Sequence, residues 1–235
     1  MNPPNIANEV RSRLALALDV DDLVEAGRLG RRMLPWFSVA KVGLELFSAS
    51  GPEAVGAFVD QGYEVFLDLK LHDIPTTVGK AAKVLGSLGV SYVTVHSSGG
   101  VEMLAAAVDG LNEGASAAGL TPPMVLAVTV LTSDVEAPES LLQERLEYVV
   151  EADCGGVVCA ASDLAEVSLV APELLSVVPG IRPEGVAAND QGRPATPREA
   201  IEQGAGILVI GRAVTASSDP EEAANRIASE VADAI

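Results

Sequence analysis

Aromatic residues are scarce in this chain. Phe, Tyr and Trp make up 3% of its 235 residues, although 49% of the residues are hydrophobic. The core must therefore consist of Val, Leu, Ile and Ala, a composition that suits parallel strands buried on both faces. A chain of this length can form one α/β barrel or two ordinary domains. The composition favours an α/β protein with a large aliphatic core.

Cysteine and long apolar stretches are also lacking. Cys154 and Cys159 are too few and too irregularly placed for a disulfide framework or a structural zinc site, so we expect both to be reduced. Residues 1–10 have neither a cationic start nor an apolar run, and no secretory signal is expected. No stretch approaches the roughly 20 apolar residues of a membrane helix. These absences predict a soluble, cytoplasmic protein without a membrane partner.

Positive charge is the third deficit. The formal net charge is −18, with 33 acidic and 15 basic residues. Nucleic acid is therefore not an expected partner, because phosphate backbones are bound by clustered cations. The lysines are Lys41, Lys70, Lys80 and Lys83. Any site that gathers lysines in so acidic a chain is informative.

Short apolar runs alternate with helix-like segments along the whole chain. The runs are 14–20, 38–43, 63–69, 90–96, 124–131, 155–160, 174–179 and 206–211. The clearest segments between them are 22–34, 52–61, 78–88, 101–112 and 138–152, rich in Ala, Leu, Glu and Arg. Strict alternation of strands and helices implies a parallel sheet.

This sheet can be an open doubly wound sheet or a closed barrel. Eight repeats in this length favour closure, and no G-x-G-x-x-G follows the first run, which weakens a dinucleotide-binding fold. The triplet Gly79-Lys80-Ala81 lacks the other residues of a Walker A motif. The predicted fold is a single (β/α)8 TIM barrel over residues 1–235, with 1–12 as an N-terminal extension. Its chemistry is expected at the carboxyl ends of the strands.

Charged residues stand at the ends of the first three runs. Asp19 ends the first, Lys41 lies near the end of the second, and Asp68 and Lys70 end the third, followed by Asp73. Asp68 and Lys70 are two residues apart and point to the same side of a strand. Charges within apolar sequence are costly unless they are paired. We expect one linked network of alternating sign at this rim.

Structural explanations exist for each charge taken alone. Asp68 and Lys70 could form a buried pair between barrel and helices. Asp73 could cap the next helix, which would have Pro75 in its first turn. Asp19 could be a solvated strand end, and Lys41 could extend its alkyl chain past the helices. All of these together at one rim would be a coincidence.

The segment from Asp68 to Thr77 resembles the D-x-K-x-x-D-I-x-x-T signature of the orotidine 5'-phosphate decarboxylase family. Further similar blocks follow in family order from residue 14 to about residue 220. They are 16–19, 41–43, 95–97, 130–133, 178–182, 190–191 and 209–212. One D-x-K-x-x-D motif would be weak support, whereas the ordered set is specific.

A phosphate site is expected after the seventh and eighth runs. Pro179-Gly180-Ile181-Arg182 follows the seventh, and Gly211-Arg212 follows the eighth. The corresponding loops of barrels usually bind phosphate, since glycine exposes backbone N–H groups and arginine supplies a bidentate cation. The alternative is that these are turn glycines and surface arginines.

The resemblance implies a (β/α)8 barrel that decarboxylates orotidine 5'-monophosphate to uridine 5'-monophosphate with no cofactor and no metal, in pyrimidine biosynthesis. Lys70 would stabilise the carbanion at C6 and protonate it, beside Asp68 and Asp73. Asp73 and Thr77 would reach into the neighbouring site of a homodimer. The implied substrate-binding residues are Asp19, Lys41, Ile74, Thr77, Thr132, Pro179, Arg182, Gln191, Gly211 and Arg212.

Two other functions stay open at this point. A metal-dependent sugar-phosphate decarboxylase or aldolase-like relative shares the D-x-K-x-x-D strand, but it carries an acidic metal ligand near the position of Lys41, where a lysine would repel Mg²⁺. A non-catalytic barrel that binds a phosphate ligand would not need Asp68, Lys70 and Asp73. The sequence also leaves open whether His96 is structural or catalytic.

Overall fold

Eight parallel strands close into a barrel in the computed structural model, which describes residues 6–131, 139–183 and 195–235. The strands are β1 (Leu14–Leu18), β2 (Val39–Gly43), β3 (Glu64–Leu71), β4 (Tyr92–His96), β5 (Met124–Val128), β6 (Gly156–Val158), β7 (Leu175–Val178) and β8 (Ile207–Ile210). They pair in sequence order, and β1 pairs with β8 to complete the ring. The predicted closed barrel is confirmed, and the open sheet is wrong.

Helices connect the strands and pack against the barrel. They are α1 (Asn8–Ser12), α2 (Leu23–Met33), α3 (Leu44–Ser50), α4 (Pro52–Val59), α5 (Pro75–Gly86), α6 (Gly100–Ala118), α7 (Glu139–Glu151), α8 (Leu164–Val170), α9 (Pro197–Glu202), α10 (Arg212–Thr215) and α11 (Pro220–Ala232). The first of them, within the predicted N-terminal extension, contacts α11. None of the helices in the described ranges is long and apolar enough to cross a membrane.

The core has an inner and an outer part because side chains alternate across each strand. In β1, Leu14, Leu16 and Leu18 belong to the large cluster between strands and helices. Ala15 and Ala17 belong to a second cluster, inside the barrel. All five residues are buried, which is why the strand has an uninterrupted apolar sequence.

Several strand ends differ from the predicted ones, and those of β1, β3 and β5 bear on the site. Strand β1 ends at Leu18 and β5 at Val128, before the predicted ends at residues 20 and 131. The apolar sequence after β5 continues because Val130 and Leu131 line a cavity, not because they pair with a neighbouring strand. Strand β3 runs to Leu71, beyond residue 69, because its pairing with β4 resumes there after an irregularity.

Candidate active site

The register of the barrel directs three charged side chains to the same place. Asp19, Lys41 and Asp68 each lie two residues after a member of the inner apolar cluster. Because side chains alternate along a strand, all three point into the carboxyl end of the barrel. Regular β-structure in β1, β2 and β3 is therefore sufficient to bring these residues together.

The charged side chains form a network of alternating sign. Lys41 Nζ lies 3.0 Å from Asp19 Oδ1 and 3.5 Å from Asp68 Oδ2. On the other side of the carboxylate, Lys70 Nζ lies 2.7 Å from Asp68 Oδ1. The linked network expected from the sequence is present, and its order is Asp19, Lys41, Asp68, Lys70.

Burial is uneven along this network. The side chains of Lys41 and Asp68 are 10% and 13% exposed, whereas that of Lys70 is 32% exposed. Burial favours the neutral form of Asp68, but the charges of Lys41 and Lys70 and hydrogen bonds from Lys70 and Thr94 outweigh it and lower the pKa of Asp68. The carboxylate is therefore ionised at neutral pH, with an accessible ammonium group beside it.

The backbone is irregular where Lys70 stands. Leu67 pairs with Val93 and Leu71 pairs with Val95, so β3 bulges between these positions. Lys70 has φ of +51°, a left-handed conformation that costs a non-glycine residue roughly 1–2 kcal/mol. Strained residues of this kind cluster at functional sites. Sequence periodicity gives no sign of this bulge.

Thr94 is a site residue that the sequence interpretation missed. It is fully buried, and its Oγ1 donates a hydrogen bond of 3.0 Å to Asp68 Oδ1. The backbone N–H of Lys70 donates a bond of 2.8 Å to Thr94 Oγ1. The available signal was a hydroxyl within the apolar fourth run, two residues before His96 and on the same side of the strand.

A cavity of about 160 Å³ opens beside the network. Lys41, Asp68 and Lys70 form its charged wall. The remaining lining residues are Phe66, Val128, Val130, Leu131, Val158, Cys159, Pro179 and Val209. A space that is apolar on most sides and charged on one suits a flat ring with an ionised substituent at one edge.

The structure places Asp73, Ile74 and Thr77 on the surface, outside the network. Asp73 is exposed, accepts a 2.6 Å bond from Ile74 N–H and makes no ion pair with any described residue. Ile74 is 66% exposed, and Thr77 is exposed in the first turn of α5. The N-cap of α5 is Ile74, without a side-chain capping bond, so Asp73 is not the helix cap. None of these three residues is among those that line the cavity beside the network.

The two expected phosphate loops leave neighbouring strands, since β7 pairs with β8. Gly180 has φ of +80°, and Gly211 precedes Arg212, the exposed first residue of α10. Arg182 is 7% exposed, and its Nη1 donates a 2.8 Å bond to the carbonyl of Ile181. Of these two arginines, Arg212 is therefore the more accessible to an anion.

Two further predicted contacts, Thr132 and Gln191, lie outside the described residues.

His96 lies next to the network, and its ring centroid is 5.6 Å from that of His72. Burial lowers the pKa of His96. The nearby His72 and Lys70 lower this pKa further, and Asp68 opposes the shift. The imidazole is therefore neutral at neutral pH, so it adds no positive charge to the site.

The fold and the site together define a barrel enzyme that carries a network of lysine and aspartate side chains at the carboxyl end of its strands. The model of the Orotidine 5'-phosphate decarboxylase / HUMPS family matches residues 12–227. The chain belongs to this family, and the family resemblance seen in the sequence is confirmed.

Named relatives are similar over nearly their whole length. The orotidine 5'-phosphate decarboxylase of Moorella thermoacetica is 42% identical over 238 residues, which cover 96% of this chain and 94% of the relative. The enzyme of the same name from Anaeromyxobacter sp. strain K is 44% identical over 227 residues, covering 92% and 96%. The crystal structure of orotidine 5'-phosphate decarboxylase from Lactobacillus acidophilus superposes with a TM-score of 0.75 at 34% identity, covering 94% of this chain and 99% of that one.

Proposed function

We infer that this chain decarboxylates orotidine 5'-monophosphate to uridine 5'-monophosphate, a reaction of pyrimidine biosynthesis. The observation that carries this inference is the ammonium of Lys70, held 2.7 Å from the ionised Asp68 at a cavity of ring size. Membership of the family and the names of the relatives support the same reaction.

The proposed orientation follows the distribution of charge. The pyrimidine occupies the apolar cavity with its C6 carboxylate towards Asp68 and Lys70, and Pro179 lines the same space. The ribose hydroxyls meet Asp19 and Lys41. The phosphate binds at Gly211 and Arg212, with Arg182 and Gln191 beside it, and Thr132 contacts the base. Support for this orientation comes from the accessible Arg212 and from the family motif.

Catalysis then consists of charge stabilisation and proton transfer. The bond from C6 to the carboxylate carbon breaks, its electron pair stays on C6, and carbon dioxide leaves. The Lys70 ammonium stabilises this carbanion and gives it a proton, and solvent reprotonates the amine. The carboxylates of Asp68 and the substrate, about 4 Å apart, would repel each other by roughly 4 kcal/mol at an effective dielectric of about 20, and departure of carbon dioxide relieves that repulsion.

Lys41 argues against the metal-dependent relative. Its Nζ lies 3.0 Å from Asp19 and 3.5 Å from Asp68, so an ammonium already neutralises the carboxylates that a divalent cation would need.

Incubation with orotidine 5'-monophosphate in excess EDTA tests this assignment. Loss of substrate absorbance should proceed at the same rate with and without chelator, and the product should be uridine 5'-monophosphate. Activity that disappears with EDTA would favour the metal-dependent relative. Tight binding of the product without any turnover would favour a non-catalytic barrel.

The proposed active form is a homodimer in which Asp73 and Thr77 reach the partner's site. Two large apolar side chains near them are exposed, Ile74 at 66% and Leu44 at 57%. They follow the adjacent strands β3 and β2, so both lie at the carboxyl end of the barrel. The exposed Asp73, unpaired with any described cation, is available for a neighbouring chain.

Mixing two inactive variants tests this dimer. Lys70→Ala and Asp73→Asn homodimers should each be almost inactive. After random reassociation about a quarter of wild-type activity should return, because half of the dimers are mixed and each mixed dimer has one complete site in a two-fold assembly. The matched control is Lys70→Ala mixed with Asp68→Ala, which should stay inactive because one chain supplies both residues. If the first mixture also stays inactive, Asp73 does not act across an interface.

A further inference from the structure

The bulge in β3 stands opposite a single residue of β4. Three residues of β3, Asp68 to Lys70, lie between the paired positions Leu67 and Leu71. Between their partners Val93 and Val95 lies only Thr94. The backbone of Thr94 alone cannot form regular ladder hydrogen bonds with all three residues of β3. The backbone N–H of Lys70 therefore needs another acceptor.

The hydroxyl of Thr94 is that acceptor. It receives the N–H of Lys70 at 2.8 Å and donates its own proton to Asp68 Oδ1 at 3.0 Å. A hydroxyl has one proton and two lone pairs, so both bonds form at once. Thr94 is 0% exposed, and bulk water therefore cannot replace the hydroxyl.

We propose that Thr94 is a positioning residue of the reaction, whose hydroxyl holds the strained backbone of Lys70 and the carboxylate of Asp68 in one fixed arrangement. This role rests on the function proposed above. Asp68 Oδ1 receives both the Thr94 hydroxyl and the Lys70 ammonium, while Oδ2 faces Lys41 at 3.5 Å. With both oxygens occupied, the carboxylate cannot rotate away from the substrate.

Removal of the hydroxyl should loosen both catalytic groups without changing the shape of the core. Thr94→Val is nearly isosteric but leaves the Lys70 N–H without its acceptor and Asp68 without one donor. We expect kcat to fall by about 10- to 100-fold, because small misplacements of catalytic groups cost up to about 10²-fold. Affinity for uridine 5'-monophosphate, which has no C6 carboxylate, should hardly change. Thr94→Ser keeps the hydroxyl and should remain close to wild type.

Thr129→Val is the matched control. Thr129 is also buried, at 8% exposure, and its hydroxyl donates a 3.2 Å bond to the carbonyl of Val158. It contacts no member of the charged network among the hydrogen bonds of the described residues. The same chemical change should therefore cost some stability and leave kcat near the wild-type value.

The pH profile separates positioning from a structural effect. Burial favours the neutral form of Asp68, and the hydrogen bond from Thr94 is one of the contacts that keep its pKa low. The acid limb of kcat/KM should therefore move to higher pH in Thr94→Val and stay in place in Thr94→Ser and Thr129→Val.

Wild-type kcat in Thr94→Val, or equal losses in Thr94→Val and Thr94→Ser, would overturn the role of the hydroxyl. If Thr94→Val does not fold, Thr94→Ala is compared with Thr94→Ser by the same criteria. Turnover by the wild-type chain is measured first. Its absence would contradict the proposed function, whereas unchanged turnover in the variants would contradict the role of Thr94 alone.

Discussion

Turnover should disappear almost completely in Lys70→Ala, although the barrel should still fold. In the proposed mechanism the variant would lack both the cation next to C6 and the transferable proton, and no other described ammonium contacts Asp68 Oδ1. Asp68 keeps a partner, since Lys41 remains 3.5 Å from Oδ2. A buried carboxylate without any cation would be strongly destabilising, and the arrangement of the network avoids that outcome.

Single-turnover assays at high enzyme concentration measure this loss, together with circular dichroism and thermal unfolding as tests of folding. Lys83→Ala is the matched control, because Lys83 is half-exposed on α5 and pairs with Glu113 at the surface. Such surface pairs contribute about 0–1 kcal/mol, so activity should not change. Normal turnover in folded Lys70→Ala would exclude Lys70 as the proton donor.

Arg212→Ala should lower kcat/KM for orotidine 5'-monophosphate by several orders of magnitude. Arg212 is exposed at the start of α10, directly after β8, so its removal leaves a cationic site empty without disturbing the core. Phosphate binding is expected to organise the site as well as to retain the substrate, since remote binding energy can lower the barrier at the reacting atom. Added guanidinium ion should restore part of the activity, because it can fill the space that the side chain leaves.

The nucleoside orotidine distinguishes phosphate binding from a structural role. It lacks the phosphate, so the wild type and Arg212→Ala should convert it at similar low rates. Arg198→Ala is a suitable control, because Arg198 is a surface residue of α9 that pairs with Asp233 at 3.2 Å and should not affect either substrate. Equal losses with nucleotide and nucleoside, or an unchanged kcat/KM with the nucleotide, would contradict the proposed phosphate contact.

Most of the fold follows from local patterns in the sequence. Eight aliphatic runs separated by helical segments predict the barrel, because alternating β and α elements of this length close into one sheet. Alternation within the runs also places Asp19, Lys41 and Asp68 on the inner side of their strands. These parts were predictable because they depend only on a period of two and on parallel pairing.

The remaining features depend on tertiary structure that has no local pattern. The bulge at Lys70 arises from the register between β3 and β4, and the alternation of residues 64–71 gives no sign of it. Thr94 acquires its importance only from that bulge. The exposure of Asp73 depends on where α5 begins and has no local pattern, although the family resemblance implied that Asp73 reaches a neighbouring site.

The interrupted ladder also means that the two edges of β3 differ in their hydrogen bonding. Up to Asp68 the strand is bonded to β2, while towards β4 the backbone has no ladder partner between Leu67 and Leu71. Segments with fewer ladder bonds open and deform more easily than the paired wall around them. The Thr94 hydroxyl, which accepts the N–H of Lys70, therefore takes the place of the missing ladder bond and restrains the segment that carries the proposed proton donor.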